Sequence, residues 1–315
     1  MIIVLGDMIA DLNLHIPSFP IQAGECHRAT YFELGPGGAT NVAIMTARLG
    51  LSVGCVGEVG GDYFGKIVLE GLKLEGIDTT ELVVTREAET PVAGVVVDAK
   101  GEPTYLGYRG SIRIHTFQPR WEVSIQVAEA LFTGGWAEDD SIPGIVLEGM
   151  RIAQQSGVPI FFDPGPGNPE IDNSWWDEAV DLTTILLANE DEIINMTGLD
   201  QPKEAASSLL SRGLEMVVIK RGAEGCSIQT KKSAHDVQGF PVQVRDTTGA
   251  GDSFNAAVMF GYLNEFPLEK LGTLANAVGA AKVQKLGTGH NVPTISEIAE
   301  VLKKFKLDPD TYLQV

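Results

Sequence analysis

The segment D-T-T-G-A-G-D at residues 246–252 brings together carboxylates and a glycine turn, which are residue types that suit chemistry on an anion. Gly249, Ala250 and Gly251 carry almost no side chain, so backbone N–H groups there can approach a negatively charged ligand closely. Asp252 follows directly. A carboxylate in that position suits removal of a proton from an alcohol that attacks a phosphate.

A helix cap or a dinucleotide fingerprint could also place an acid after a glycine turn. A short alternating stretch at 242–244 predicts a strand before the segment, and 253–264 predicts a helix after it, so Asp252 could be a helix cap. Capping alone does not explain why Asp246, two threonines and two glycines accompany it.

A dinucleotide fingerprint would need a second strand closed by an acidic residue about 20 residues later. The residues that follow predict a second helix at 268–285 instead, which argues against a dehydrogenase.

The composition indicates a globular, acidic chain. Its 315 residues are 44% hydrophobic and carry a formal net charge of −19, which argues against nucleic acid or an anionic membrane as a partner. No apolar run approaches the roughly 18–20 residues that span a bilayer, and the N-terminus predicts a buried strand rather than a signal peptide. Three distant cysteines and five scattered histidines predict neither disulfides nor a zinc site, and indicate a reducing cytoplasm.

Alternating strands and helices predict the fold class. Short, continuously apolar runs are typical of buried parallel strands; they lie at 53–57, 130–133, 158–162, 185–188 and 216–219. Between them, segments such as 62–75 have the apolar periodicity of amphipathic helices, and Thr294 with Glu297 predicts a capping box for the last long helix. We therefore expect an α/β fold with a doubly wound, mostly parallel sheet flanked by helices.

Two stretches interrupt this pattern. Residues 12–16 with 28–34, and 92–97 with 103–108, alternate like half-exposed antiparallel strands. They predict a small β-sheet that forms a lid, a dimer surface or a plain edge decoration. The expected division is a core of residues 1–11, 36–90 and 112–315, and a lid of residues 12–35 and 91–111.

Several polar residues follow predicted strands, where ligands of doubly wound sheets bind. Asp11 could accept hydroxyl groups of a sugar there, or only cap a turn. Gly37, Gly38 and Asn41 precede a helix predicted at 42–49. The glycines would let the backbone approach a sugar and Asn41 would bond its hydroxyls, unless the segment is only a tight turn.

A second acidic group follows the strand predicted at 185–188. Asn189 and Glu192 offer the oxygen ligands that Mg²⁺ prefers. The alternative is an acidic cluster that only favours the start of a helix.

The chain resembles the ribokinase-like (PfkB) family of carbohydrate and nucleoside kinases. Four segments carry the resemblance, in the family's order along nearly the whole chain: G-D-M-I-A-D (6–11), G-P-G-G-A-T-N (35–41), N-E-D-E (189–192) and D-T-T-G-A-G-D (246–252). The last is highly specific to the family. The resemblance implies that Asp252 is the catalytic base and that the N–H groups of Gly249, Ala250 and Gly251 stabilise the transferring phosphoryl group. It also implies that Asp11 binds sugar hydroxyls.

The resemblance also implies a nucleotide site and a cation site. The loop K-R-G-A-E-G is similar to the family's nucleotide-binding loop, which points to Lys220, Gly222 and Gly225 as ATP-binding residues. Asn189 would lie near the phosphates and Asn276 near the adenine. Asp246 and the carbonyl of Thr248 resemble the family's monovalent-cation site, which residues 282–291 would complete, so activation by K⁺ is a hypothesis.

The acceptor is less well defined. Tyr108 and Arg109 resemble the pair that 2-keto-3-deoxygluconate kinases use for an acid group, although the spacing differs. The family usually has two glycines where this chain has Pro36 and Gly37. The glutamate that ribokinases use for ribose has no clear counterpart at 132–136, which weakens ribose as the substrate.

The sequence thus predicts an ATP- and Mg²⁺-dependent cytoplasmic kinase that phosphorylates a hydroxymethyl group of a sugar or sugar acid, of the ribose, fructose or 2-keto-3-deoxygluconate type. Exposed lid edges predict a homodimer. One alternative is a nucleoside kinase with an aromatic slot built from Phe32, Tyr105 or Trp136. The other is a sugar-binding regulator without turnover.

Overall fold

Short runs of β-branched and other apolar residues build one large sheet in the computed structural model. The structure describes residues 1–6, 8–112, 117–135, 143–166 and 173–314. The strands of this sheet are β1 (Ile2–Leu5), β4 (Val53–Gly60), β5 (Leu82–Thr85), β8 (Ala130–Gly134), β9 (Ile160–Asp163), β10 (Ile185–Asn189), β11 (Met216–Lys220), β12 (Cys226–Thr230) and β13 (Ala234–Val237). Their spatial order is β13-β12-β11-β10-β9-β8-β1-β4-β5. Pairing is parallel from β11 to β5, and antiparallel only where β12 meets β11 and β13.

Helices cover both faces of this sheet. They are α1 (Ala39–Arg48), α2 (Tyr63–Leu74), α3 (Pro119–Gln126), α4 (Pro143–Gln155), α5 (Asn173–Leu182), α6 (Glu190–Thr197), α7 (Pro202–Ser211), α8 (Ala250–Leu263), α9 (Leu268–Lys282), α10 (Ile295–Lys304) and α11 (Asp310–Leu313). Alternate residues of β1 enter two separate cores: Ile2 and Val4 pack with α1, α8 and α9, whereas Ile3 and Leu5 pack with α3 and α4. Both faces are therefore buried, and the prediction of a doubly wound sheet is confirmed.

A second sheet holds four strands, in the order β3-β2-β6-β7. They are β2 (Met8–His15), β3 (Tyr31–Gly38), β6 (Val92–Val97) and β7 (Pro103–Tyr108). The bounds of β6 and β7 are those expected. The other two strands are longer than predicted, because the β2–β3 ladder continues until Met8 pairs with Gly38. Asp11 therefore lies within a strand of the second sheet rather than after a strand of the first.

The segment that leads to residues 246–252 differs from the prediction. Residues 242–244 form no strand, and the N–H groups of Arg245 and Asp246 both donate to the carbonyl of Val283, at 2.7 and 3.2 Å. The chain is thus held by the end of α9 instead of by a sheet. The capping box of Thr294 and Glu297 is present at the start of α10, as predicted. Among the described residues, no helix is both long and apolar enough to cross a membrane.

Candidate active site

The glycine turn before α8 has the geometry of an anion-binding helix start. Gly249 is the residue before the helix and adopts the left-handed region (φ 70°), which favours glycine. The N–H of Ala250 donates to the carbonyl of Thr247 at 3.1 Å. Of the three N–H groups expected to bind an anion, that of Ala250 is therefore already used within the turn, which leaves those of Gly249 and Gly251 among the described residues. Helix α8 begins at this turn, so its dipole adds positive potential there.

Asp252 lies in the first turn of α8 and is held by Asn41. The amide nitrogen of Asn41 donates to Oδ2 of Asp252 at 3.0 Å, while its oxygen accepts the N–H of Gly289 at 2.8 Å. Burial, and next the negative charge of Asp163, raise the pKa of Asp252 to about 6. Such a carboxylate is still ionised at neutral pH and is a stronger base than an exposed one. Asn41 thus orients the predicted base, which is a role that its position in the sequence did not suggest.

Asp11 lies on the buried face of β2, near Asp252. Its Oδ2 accepts the hydroxyl of Thr288 at 2.8 Å, and burial raises its pKa to about 7, with the charge of Asp252 acting in the same direction. Gly37 packs directly against this carboxyl: a Cβ at Gly37 would be 2.0 Å from Cγ of Asp11. Gly37 therefore makes room for Asp11. Gly38 adopts a positive φ of 59° at the start of α1, where the chain turns.

A mostly buried ion pair also lies near Asp252. Asp163, at the carboxyl end of β9, accepts Nζ of Lys220 at 2.7 Å and the amide of Asn255 at 2.5 Å. Nζ of Lys220 is also 3.8 Å from the position that a Cβ on Gly251 would take, so this ammonium lies beside the anion turn. Sequence reasoning found Lys220 but missed Asp163 and Asn255. An acid directly after the strand predicted at 158–162 was the available signal for Asp163.

Asn189 and Glu192 form a reciprocal capping box at the start of α6. Asn189 Oδ1 accepts the N–H of Glu192 at 2.8 Å, and Glu192 Oε2 accepts the N–H of Asn189 at 2.7 Å. Asn189 and Glu192 therefore do stabilise the start of a helix, which was the alternative to a Mg²⁺ site. This capping box uses only one carboxylate oxygen of Glu192. Burial raises the pKa of Glu192 to about 7, opposed by Lys220 and supported by Asp163. Glu192 is thus close to the Lys220 pair.

The remaining residues of the expected nucleotide site lie around β12 and β13. Gly222 is exposed and begins a short 3-10 helix, Gly222–Glu224, with φ 53°. Gly225 is packed so closely that a Cβ would be 2.1 Å from the carbonyl oxygen of Val237. The amide of Asn276 donates to the carbonyls of Val237 and Gln238, both at 3.1 Å. Asn276 therefore anchors the chain after β13 to α9.

Asp246, the expected cation ligand, is fully buried. One oxygen accepts the N–H of Thr248 at 2.8 Å, and the other accepts the N–H of Gly287 at 2.7 Å and lies 3.1 Å from Nε2 of His15. The fully buried Lys282 side chain is attracted to Asp246. Burial lowers the pKa of Lys282 to about 8, which leaves the ammonium mostly charged at neutral pH. Sequence reasoning named Lys282 only as the edge of a region.

The two tyrosines of β7 lie on opposite faces of the second sheet. Tyr105 is paired with Val95, which is on the face of Asp11, whereas Tyr108 is three positions away and therefore on the other face. Burial, and then the charges of Asp252 and Asp11, raise the pKa of Tyr105. The hydroxyl of Tyr108 donates to Glu89 at 2.5 Å, and Arg109 is exposed at the end of β7. Tyr105, not Tyr108, is the tyrosine that the structure brings to the carboxylates.

The second sheet contacts the anion turn directly. The carbonyl of Gly101, in the hairpin between β6 and β7, accepts both the N–H and the hydroxyl of Thr247 at 3.0 Å. Gly101 needs its positive φ of 85° and its missing side chain, because a Cβ would be 3.0 Å from the backbone of Arg245. The hairpin therefore closes over the start of α8. A carboxylate, backbone N–H donors and the two ammonium groups of Lys220 and Lys282 thus lie near one helix start, an arrangement that suits the transfer of a negatively charged group.

Comparisons with known proteins agree with this chemistry. A model of the pfkB family of carbohydrate kinases matches residues 1–295. Ribokinase of Mus musculus is 31% identical over 303 residues, covering 93% of this chain and 91% of that protein. Nucleoside kinase of Methanothermobacter thermautotrophicus is 29% identical over 306 residues, which cover 96% of this chain and 95% of that protein. Ribokinase of Arabidopsis thaliana, solved with ribose and ATP, has the same fold, with a TM-score of 0.81 and 24% identity. The match covers 96% of this chain and 98% of that chain.

The contact between Gly37 and Asp11 leads to a stability test. We expect Gly37→Ala to lower the free energy of unfolding by about 1–3 kcal/mol, because the new methyl group would overlap the buried carboxyl. Gly35→Ala is the matched control, since it lies in the same strand and a Cβ there would meet no atom within 4 Å. Thermal or denaturant unfolding of both variants is the measurement. Equal stability of the two would contradict the proposed packing.

Proposed function

The chain belongs to the pfkB family of carbohydrate kinases, and from this premise we propose that it transfers the γ-phosphate of ATP to a hydroxymethyl group of a sugar or sugar acid. Enzymes of this class are phosphotransferases that act on an alcohol group. The observation that carries the proposal is the Asp252 carboxylate, fixed by Asn41 beside the Gly249–Gly251 turn. A base and an anion-binding turn in one helix start are what an in-line transfer from phosphate to alcohol requires.

In the proposed mechanism, Asp252 accepts the proton of the acceptor hydroxyl as its oxygen attacks the γ-phosphate. The N–H groups of Gly249 and Gly251 would stabilise the charge on the transferring group. The Asn41 amide keeps the carboxylate aimed at the acceptor, because its other end is fixed by the Gly289 backbone. The raised pKa of Asp252 supports this role, since a base works best when its pKa approaches the working pH.

Asp11 would bind the acceptor by accepting two of its hydroxyls. It lies across from Asp252, and its hydrogen bond to Thr288 fixes one oxygen. Tyr105 faces the same space from β7, so we include it in the acceptor site. Arg109, directly after β7, would bind an acid group of the acceptor, whereas Tyr108 points to the opposite face of the sheet and does not fit this site.

ATP would bind on the other side of the anion turn. The phosphates would lie along Lys220 and Asn189, the ribose near Gly222 and Gly225, and the adenine near Asn276. Glu192 and Asp163 offer oxygens that fit Mg²⁺, a metal that keeps several waters and shares its ligands with phosphates. The described residues contain no group of three or more carboxylate, histidine or cysteine side chains that could hold a metal ion. Bound Mg²⁺ would neutralise phosphate charge.

A nucleoside kinase is the second candidate, and one relative bears that name. Of the three aromatic residues expected to form a base slot, Tyr105 faces the cleft. Phe32 pairs with Leu14 on the opposite face of the sheet, and Trp136 lies outside the described residues. The fixed contact between Asn41 and Asp252 favours an enzyme over a regulator without turnover.

We also propose that two copies pair through the second sheet. Its outer face, which points away from the cleft, carries exposed apolar side chains: Phe32 at 65%, Leu106 at 63% and Tyr108 at 54% exposure. Strands β3 and β7 are the open edges of this sheet. Burial of such a surface against a second copy would remove both apolar area and unpaired edges from water.

The kinase proposal is tested by ADP release from ATP and Mg²⁺ with ribose, fructose, 2-keto-3-deoxygluconate, fructose 6-phosphate or adenosine. We expect release that depends on one class of acceptor. Asp252→Asn should lower kcat by about 10²–10⁴-fold, because the amide cannot accept the proton. Asp200→Asn, at an exposed position, is the control and should keep wild-type turnover. If no acceptor is turned over but one still raises the melting temperature, the regulator is the better assignment.

The pKa of the two carboxylates predicts the pH dependence. Asp252 and Asp11 must be ionised to act, and their pKa values are raised to about 6 and about 7. We therefore expect kcat/KM for the acceptor to rise with pH through this range and then to level off. Steady-state rates measured across this range test it. An acid limb near the ordinary aspartate pKa of about 4 would contradict the burial of these groups.

Dimerisation is tested with charges on matched exposed positions. Leu106→Lys should convert a dimer to a monomer in light scattering, because it places an ammonium group in the proposed interface. Val123→Lys, at 61% exposure on α3, is the control and should leave the mass unchanged. A wild-type protein that is monomeric at high concentration would overturn this proposal.

A further inference from the structure

Lys282 carries a buried charge that the mechanism above does not use. It is the last residue of α9, its side chain is fully buried, and its Nζ has no hydrogen-bond acceptor among the described residues. A buried ammonium group is costly unless an opposite charge balances it. Negatively charged groups close to Lys282 must therefore balance its charge.

Lys282 lies beneath the anion turn and close to several carboxylates. Its Cε is 3.6 Å from the position that a Cβ on Gly249 would take, so the side chain ends beneath the anion turn. The strongest attraction on its charge comes from the fully buried Asp246, and Asp252 and Glu33 also attract it. Lys285 is the cation that opposes it, and that lysine is paired with Glu297 at 2.8 Å. Of these two lysines, Lys282 is the one that Asp246 attracts, whereas Nε2 of His15 is in direct contact with that carboxylate, at 3.1 Å.

A bound monovalent cation does not fit beside this lysine. Asp246 already accepts the N–H groups of Thr248 and Gly287, its second oxygen lies 3.1 Å from Nε2 of His15, and the attraction of Lys282 offsets its charge further. A K⁺ ion in the same space would place two positive charges together in a buried pocket. The ammonium group and a K⁺ ion can do the same electrostatic work, since each puts one positive charge under the turn.

We propose that the Lys282 ammonium is a built-in cation, which takes the place of a bound monovalent ion beside Asp246 and the anion turn. It balances Asp246 and adds positive potential under Gly249, where charge gathers during transfer. The enzyme would then need no K⁺. This inference rests on the proposed kinase function, and it replaces the expectation of K⁺ activation.

Three variants distinguish the effect of the Lys282 charge from the effect of the space that its side chain fills. Lys282→Met keeps the length and removes the charge, Lys282→Ser removes the charge and opens a space that K⁺ can enter, and Lys303→Met is a control on an exposed lysine of α10. Each is assayed in KCl and in tetramethylammonium chloride at equal ionic strength. We expect wild type and Lys303→Met to turn over equally in both salts. Lys282→Met should lose about 10²-fold in kcat in both, as when one donor to a transition-state anion is removed.

Lys282→Ser gives the deciding result, because K⁺ should restore much of its kcat while tetramethylammonium should not. A wild-type enzyme that K⁺ activates severalfold, or a Lys282→Met variant with wild-type kcat, would overturn the proposal.

A second readout does not depend on turnover. Without substrates, K⁺ should raise the melting temperature of Lys282→Ser but not that of wild type. In crystals soaked with Tl⁺, an anomalous peak should appear beside Asp246 only in the variant. A Tl⁺ peak beside Asp246 in wild type would disprove the built-in cation even if no acceptor were ever found, so failure of the kinase proposal and failure of this one are distinguishable.

Discussion

Four buried or half-buried carboxylates lie in the candidate active site between the two sheets, and the rest of the site is arranged around their charge. They are Asp11, Asp163, Asp246 and Asp252. Isolated buried carboxylates are costly, so each needs hydrogen bonds or a cation. Asp163 has Lys220 and Asn255, Asp246 has two backbone N–H groups and the attraction of Lys282, Asp252 has Asn41, and Asp11 has Thr288. Because the chain as a whole carries a net charge of −19, the cations that balance these carboxylates have to lie directly beside them.

One short segment after α9 serves three of these groups. Gly287 N–H donates to Asp246, the Thr288 hydroxyl donates to Asp11, and Gly289 N–H donates to Asn41, which holds Asp252. The segment thus joins β2, α1 and the start of α8, which are far apart in the chain. The acceptor side and the base are positioned by the same three residues, so a shift of this segment would disturb both.

The sequence predicted the parts of this site better than their contacts. The doubly wound fold, the glycine turn and Asp252 were predictable because each leaves a local signal: apolar runs, missing side chains and an acid at a helix start. Lys282 and Asp163 were missed because their roles depend on what faces them across the fold. Tyr108 was preferred to Tyr105 because of a resemblance to other kinases, and only the strand pairing shows which side chain faces the cleft. The strand expected at 242–244 is absent, because the chain there is bonded to the end of a helix.

The hydrogen bonds between Gly101 and Thr247 set an energy scale for movement of the β6–β7 hairpin. Two hydrogen bonds of this kind contribute about 0.5–1.5 kcal/mol each. An opening that breaks only this contact therefore costs about 1–3 kcal/mol, which leaves the open state with a population of the order of 1–20%. Substrates could enter by spontaneous opening. A bound acceptor would need to contribute only a modest difference in affinity to keep the cover closed over Thr247.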